Sequence, residues 1–409
     1  MRSAPSRSVV TSDGLVVALR PLDADAPWIG AWRDLSGRPL IDNLFYHPDF
    51  ALPAAAPFGK GVQVALVGDR APEEPGLRLH AVWPLRATRL RWGLPLILAM
   101  GWMHGFGIFG VPVLDAAEPA RALDALFFGL RRLVGPRLML THVPTTGPFA
   151  GLLSDWLDRN GLRHARFWAH QRAFLDLADR DPAGRADYLG HLSSRKRRKL
   201  RQARDRLDAE GAVTTETIRA PADLSAAIDD YIALEGAGWK GRRGTAIADD
   251  PAQAAMIRTA VTAFGAREAV RIDRLRRDGR TLAAVVSFVT RGRLWSLKIS
   301  YDAAAARHSP GALAFQHLTQ GILADPAMTS ADSCAPPNYV LPETFWTERL
   351  PLAHILVETR GGDPLFPLAA ALERARAAAN VRVKAWRDRV RARRSAGREP
   401  DPADADRTP

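Results

Sequence analysis

Apolar and polar positions alternate over residues 294–300, where Leu297, Lys298, Ile299 and Ser300 change sides in turn, and this period predicts a strand with one buried face. Two strand-like runs precede it: 269–277, carrying Val270, Ile272 and Leu275, and the β-branched run 280–290. Asp278-Gly279 between them is a type I′ hairpin signal, and Arg291-Gly292-Arg293 turns the chain into the third strand, so an antiparallel meander is expected. The pattern then changes. Ser309 suits an N-cap, Pro310 the first helical position, and Gly311 leaves the second position bare. With Arg307 and His308 just before it, such an opening turns N–H donors, a positive dipole end and a guanidinium toward a phosphate-sized anion. An ordinary capped helix produces the same local pattern.

The rest of the chain alternates strands with helices. Strands are expected at 15–20, 61–68, 77–85, 138–143 and 352–359. Helices are expected at 23–36, with Trp28, Trp32 and Leu35 on one face, at 119–133, with Leu123, Leu126, Phe127 and Leu130, and at 149–160, ended by Gly161. Further helices are expected at 188–211, 224–234 and, with little apolar face, 366–390; residues 43–50 read as a turn. Residues 92–114 contain no charge over a length that could span a bilayer, but five glycines, two prolines and a histidine break the run. Two buried strands joined by a glycine-rich loop fit it better.

Composition adds bounds. With 409 residues the chain can build two domains and a tail, and 47% apolar content is that of a soluble globular protein. The net charge of +13 is concentrated in 191–210 and 371–409, each contributing +5. Only six of 57 basic residues are lysine, a bias typical of a GC-rich bacterial genome. A lone cysteine, Cys334, rules out an intrachain disulfide and suits a reducing cytoplasm. The ten histidines show no H-E-x-x-H or comparable spacing, so no metal is expected. Neither a Rossmann nor a P-loop glycine pattern, nor a G-x-S-x-G elbow, occurs.

A meander followed by a loop and a phosphate-type helix start resembles the core of the GNAT acyltransferases. The order NLFYHPDF, SRKRRKLRQARDRL, EGAGWKG, LKISYD and RHSPGAL is similar to the CelD/BcsL-type acetyltransferases, named for cellulose biosynthesis, over roughly residues 14–360. The resemblance implies an α/β fold of tandem GNAT-like domains, each a mixed, mostly antiparallel sheet flanked by helices. Residues 14–175 would form a degenerate domain and 176–365 the catalytic one, with the polar stretch 178–184 at the boundary. A disordered lead-in over 1–13, a basic helix at 366–394 and a disordered tail at 395–409 complete the expectation. Where the family has a glycine-rich segment ending in Tyr-Lys, this chain has ADSCAPPNYVLPETFW, with Asp332 and Tyr339 as counterparts and no lysine.

The resemblance further implies acetyl-CoA as co-substrate, with Arg307, His308, Ser309, Gly311 and Ala312 at its pyrophosphate and Lys298, Ile299 and Ser300 along its pantetheine arm. Glu235, beside an apolar ring at Trp239, is the candidate general base, since burial raises a carboxyl toward the pKa this task needs; Asp302, His308 and His317 are its competitors. Tyr339 is the candidate acid for the leaving thiolate. Arg197, Arg198, Arg201, Trp239 and Lys240 are expected to contact an anionic acceptor, such as a saccharide or envelope component. An anionic membrane surface is a further partner, with the protein cytoplasmic or peripheral to the inner face. The FemABX-type aminoacyl transferases share the tandem plan and offer aminoacyl-tRNA as an alternative donor, and a GNAT-like binding module without catalysis is the non-enzyme alternative.

Overall fold

The structure is a computed structural model describing residues 7–238 and 240–395. It divides into two compact units, 7–170 with 351–395, and 171–350. In the first unit β1 (Arg7–Val10) is antiparallel to β2 (Val16–Pro21), β2 to β3 (Gln63–Gly68) and β3 to β4 (Leu79–Thr88). Next, β4 takes β5 (Leu98–Gly101) and the short β6 (Val113–Leu114) antiparallel, and β5 runs parallel to β7 (Arg137–Pro144). Helices α1 (Ile29–Ser36), α2 (Pro48–Phe58), α3 (Pro119–Leu133) and α4 (Pro148–Asn160) flank the sheet. The apolar stripe of α3 is fully buried at Leu123, Leu126, Phe127 and Leu130.

Three local expectations change here. Residues 7–10, expected inside a disordered lead-in, form an edge strand, because β2 offers a free hydrogen-bonding side to which Val9 and Val10 pair in register with Val17 and Val16. Residues 43–50 are not a simple turn. Asn43 donates from Nδ2 to the carbonyls of Phe109 and Val111 and accepts Phe45 N–H, which fixes a 3-10 turn leading into α2 with Pro48 in its first turn. The first helix begins at Ile29 rather than 23. The charge-free stretch 92–114 holds β5 and β6, and no helix among the described residues is long and apolar enough to cross a membrane.

The chain enters the second unit within β8 (His164–Asp176). There follow α5 (Pro182–Ala186), α6 (Ser194–Glu210), β9 (Val213–Ile218), α7 (Pro221–Ala237) and α8 (Pro251–Gly265). The meander is β10 (Val270–Arg277), β11 (Arg280–Thr290) and β12 (Arg293–Tyr301), then α9 (Pro310–Ala324), β13 (Ser330–Asp332) and α10 (Val340–Phe345). The sheet runs β8, β13, β12, β11, β10, β9, antiparallel except where β12 and β13 pair. Its two hairpins turn as expected, with positive φ at Asp278, Gly279, Arg291 and Gly292. Leu207, Val285, Leu294, Phe315, Leu318 and Trp346 lie in its core. The expected helix 188–211 is two pieces, a 3-10 turn at Tyr188–His191 and then α6, because Ser193 caps Lys196 N–H and starts a new helix.

The last strand, β14 (Glu348–Glu358), pairs from Leu352 onward with β7, and α11 (Phe366–Ser395) buries Phe366, Ala369 and Ala370 in the same cluster as Leu98 and Met139. Residues 351–365, expected in the catalytic domain, therefore belong with the first unit; residues 396–409, expected as a disordered tail, lie outside the described set. Glu373 ties α11 down: fully buried, it accepts from Arg91 Nε and Nη2 at 2.9 and 2.7 Å and from the Trp92 indole at 2.7 Å. Replacing it by glutamine keeps the shape but loses the charge-assisted bonds, and urea unfolding is expected to show a loss of about 1–3 kcal/mol.

Candidate active site

The site is built around the C-terminal half of β12. Against β11 this strand is paired from Arg293 to Tyr301, but its parallel contact with β13 covers only Arg293, Leu294 and Trp295. Beyond Trp295 the two strands share no register partner among the described residues, so one edge of β12 opens at Ser296. A bulge at Leu297 interrupts the expected alternation: Ser296 pairs with Ser287 and Lys298 with Val286. Asp332 closes the joined end. Fully buried, it accepts from Arg172 Nη2 at 2.6 Å and Arg293 Nη2 at 2.7 Å, while Cys334 N–H donates to its other oxygen at 2.9 Å. Burial pushes its pKa up, but the two guanidiniums outweigh that and hold it below the usual range. Cys334 itself sits just past β13, its thiol pushed up by burial.

At the far end of β12, α9 opens against Tyr301. A Cβ on Gly311 would lie 3.3 Å from Tyr301 Cδ1, which is why this position is bare. The opening differs from an ordinary cap. Ser309 occupies the cap position but adopts a left-handed conformation, φ 48°, and its side chain makes no capping bond, because a 3-10 turn over Ala303–His308 delivers the chain into α9. Its amide donates to Ala306 O and that of Ala312 to Ser309 O, so Gly311 N–H is the amide left without a partner among the described residues. Arg307 is exposed and donates from Nη2 to Glu210 at 2.9 Å. His308 is buried, with Nε2 3.1 Å from the same carboxylate, and its Nδ1 has no hydrogen-bond partner among the described residues. A bare cradle, an unspent amide and an orphaned ring nitrogen are features a phosphate group would satisfy.

The loop after α7 closes the other side. A Cβ on Gly241 would come within 1.8 Å of Gly236 O, so this glycine of EGAGWKG permits a close backbone contact, and a Cβ on Gly238 would lie 4.0 Å from Tyr301 O. Glu235 is buried at 1% exposure. It accepts from Lys240 Nζ, from Ile247 N–H at 2.8 Å and from Tyr231 OH at 3.4 Å. Lys298 stands in the field of this pair: burial first, then Lys240, pull its ammonium down to about 8 against the opposing pull of Glu235. Tyr231 is pushed up by burial and then by Glu235, with Tyr339 near enough to add to the effect. Tyr339 is 43% exposed and stands at the N-cap position of α10 without a side-chain capping bond.

The structure thus brings Lys240 onto Glu235 with Lys298 in their field and Tyr339 near Tyr231, and places Ser309, Gly311 and Ala312 at the helix opening beside Tyr301. Trp239 lies outside the described residues. Of the competitors for the base, Asp302 caps Ala304 and meets Arg280, and His317 faces Thr217 and Asp273. Arg197 turns back on the carbonyls of Gly190 and Leu192, while Arg198 and Arg201 are exposed on α6. Sequence reasoning missed Tyr231 and the side chain of Lys298. Tyr231 was recoverable, since it precedes Glu235 by one helical turn; Lys298 was hidden by the bulge.

With this geometry established, comparison with known proteins adds a direct observation. Residues 194–335 match the family model described as acetyltransferase (GNAT) domain. No curated protein matches the chain. Among solved structures it is similar to the C-terminal domain of a putative lysylphosphatidylglycerol synthetase from Agrobacterium fabrum, at 15% identity, covering 84% of this chain and 95% of that one, TM-score 0.50. FemX is similar at 11% identity, 84% and 98% coverage, TM-score 0.55, and a tandem GNAT protein from the clavulanic acid biosynthesis pathway at 12%, 85% and 100%, TM-score 0.37. At these identities FemX and the synthetase domain show the fold alone. The GNAT domain found by the family model contains β12, the opening of α9 and the Glu235 loop.

Proposed function

We propose that this chain transfers an acyl group, most simply acetyl, from coenzyme A to an amine or hydroxyl acceptor, and that it is of the CelD/BcsL type, with a saccharide or envelope component as acceptor. The observation that carries this reading is the divergence of β12 from β13 after three residue pairs, with the bare opening of α9 at the end of the same strand. Gly311 N–H and His308 Nδ1 would meet the pyrophosphate, with Ser309, Ala312 and Arg307 around it. The open edge over Lys298, Ile299 and Ser300 would hold the pantetheine arm and offer a backbone N–H to the oxyanion. When bound, the thioester supplies an activated acyl carbon.

The acceptor nitrogen or oxygen bonds to that carbon as the carbon–sulfur bond breaks. Its proton passes to Lys298, whose amine is substantially neutral near pH 8. Glu235, with three donors on its carboxylate, holds Lys240 and the loop in place beside it, and Tyr339 protonates the leaving thiolate. Calorimetric titration of acetyl-CoA tests the reading. Wild type should bind, and Gly311→Val, which puts branched carbon against Tyr301 and over the amide, should bind at least about tenfold more weakly. A folded wild type that does not bind would sink the coenzyme A assignment. Aminoacyl transfer from aminoacyl-tRNA is the second reading, favoured by the exposed cations of α6.

A further inference from the structure

Helix α6 is built against its own electrostatics. Between Arg195 and Arg204 it carries seven basic side chains and no acidic one. Its first turn has no carboxylate, so the cations crowd the positive end of the dipole. Arg195 with Arg198 and Lys199, and Arg201 with Arg197 and Arg198, are also like-charged neighbours three or four residues apart. Over 171–350 basic residues outnumber acidic ones by five, and residues 191–200 supply all five. Two of the cations have internal uses: Arg197 bonds to backbone carbonyls and Arg204 to Asp208. Arg195, Arg198, Lys199, Arg201 and Arg206 are exposed and have no ion-pair partner among the described residues. At 100° per residue they fall within one half of the helix circumference, opposite buried Leu200, Ala203 and Leu207.

We propose that this face of α6 is a docking strip for an anionic lipid surface. The exposed half of the helix cylinder is convex. No Phe, Tyr or Trp occurs between Tyr188 and Tyr231 to stack on bases. A plane of lipid phosphates suits a convex row, since long Arg and Lys arms reach it from either side of the crest. The apolar face is already spent on the core, so contact is electrostatic, without insertion, and reversible by salt. The inference does not depend on the transfer reaction.

The test is vesicle co-sedimentation of the full chain without acyl donor. Binding is expected to phosphatidylcholine vesicles containing phosphatidylglycerol and not to phosphatidylcholine alone, with release at about 1 M salt, where the Debye length is about 3 Å. The quadruple variant Arg195→Gln, Arg198→Gln, Lys199→Gln, Arg201→Gln removes like-charge repulsion, so its melting temperature should hold or rise, while its binding falls at least about a hundredfold. Failure of wild type to bind anionic vesicles at low salt, or unchanged binding by the folded variant, overturns the proposal. So does preference for a short RNA duplex over those vesicles in competition, which would assign the strip to nucleic acid and bring the aminoacyl-transfer reading forward.

Discussion

Replacing Lys298 by methionine is expected to lower the acyl-transfer rate by about 10²–10⁴-fold, the range a positioned proton acceptor contributes. Methionine keeps the length and apolar stem of lysine while removing the amine. The wild-type rate should rise with pH and level off through about 8, because the neutral amine is the form that takes the proton and Lys298 is drawn down to that value. That inflection should vanish in the variant. Stability should move the other way. The folded-state pKa is below that of an unfolded lysine, so the ammonium opposes folding fully below about 8, and the opposition fades as pH climbs toward the unfolded value. Lys298→Met should therefore melt higher at neutral pH even as it loses activity. A slow variant that keeps the pH inflection would place the proton acceptor elsewhere, with Glu235→Gln the next change to examine.

Asp332→Ala is expected to destabilise the protein by about 3–5 kcal/mol, measured by urea unfolding at neutral pH, because it leaves two guanidiniums without their common buried carboxylate. The penalty falls within the three residue pairs that join β13 to β12, so the second unit should lose protection there first in hydrogen exchange. Acid has a related effect in the wild type. The folded-state pKa of Asp332 is depressed, so its contribution is complete above about 3.9 and is lost as pH falls through the lower folded value. Asp332→Asn should flatten that part of the acid limb.

Much of the second unit was legible because its signals are local. Asp278-Gly279 and Arg291-Gly292 both adopt the positive φ angles their sequence demands, and the Pro310-Gly311 helix start lies where the pattern changes. The anion site was legible in outline only. Whether Ser309 caps the helix depends on the preceding 3-10 turn, and whether His308 is exposed depends on Glu210, 98 residues earlier in the chain. The Glu235–Lys240 pair could not be read from helical spacing, since α7 ends between the two residues. Pairing partners were the least legible element. Alternation says which face of β14 is buried but carries no information about its register with β7.

That last pairing also orders events during synthesis. The second unit is one uninterrupted stretch and can complete its sheet as soon as residue 350 has left the ribosome. The first unit cannot, because β7 has waited since residue 144 for a neighbour whose pairing with it starts at Leu352. For that interval a nascent chain carries an unpaired apolar strand edge, and its earliest-made half is the later one to finish.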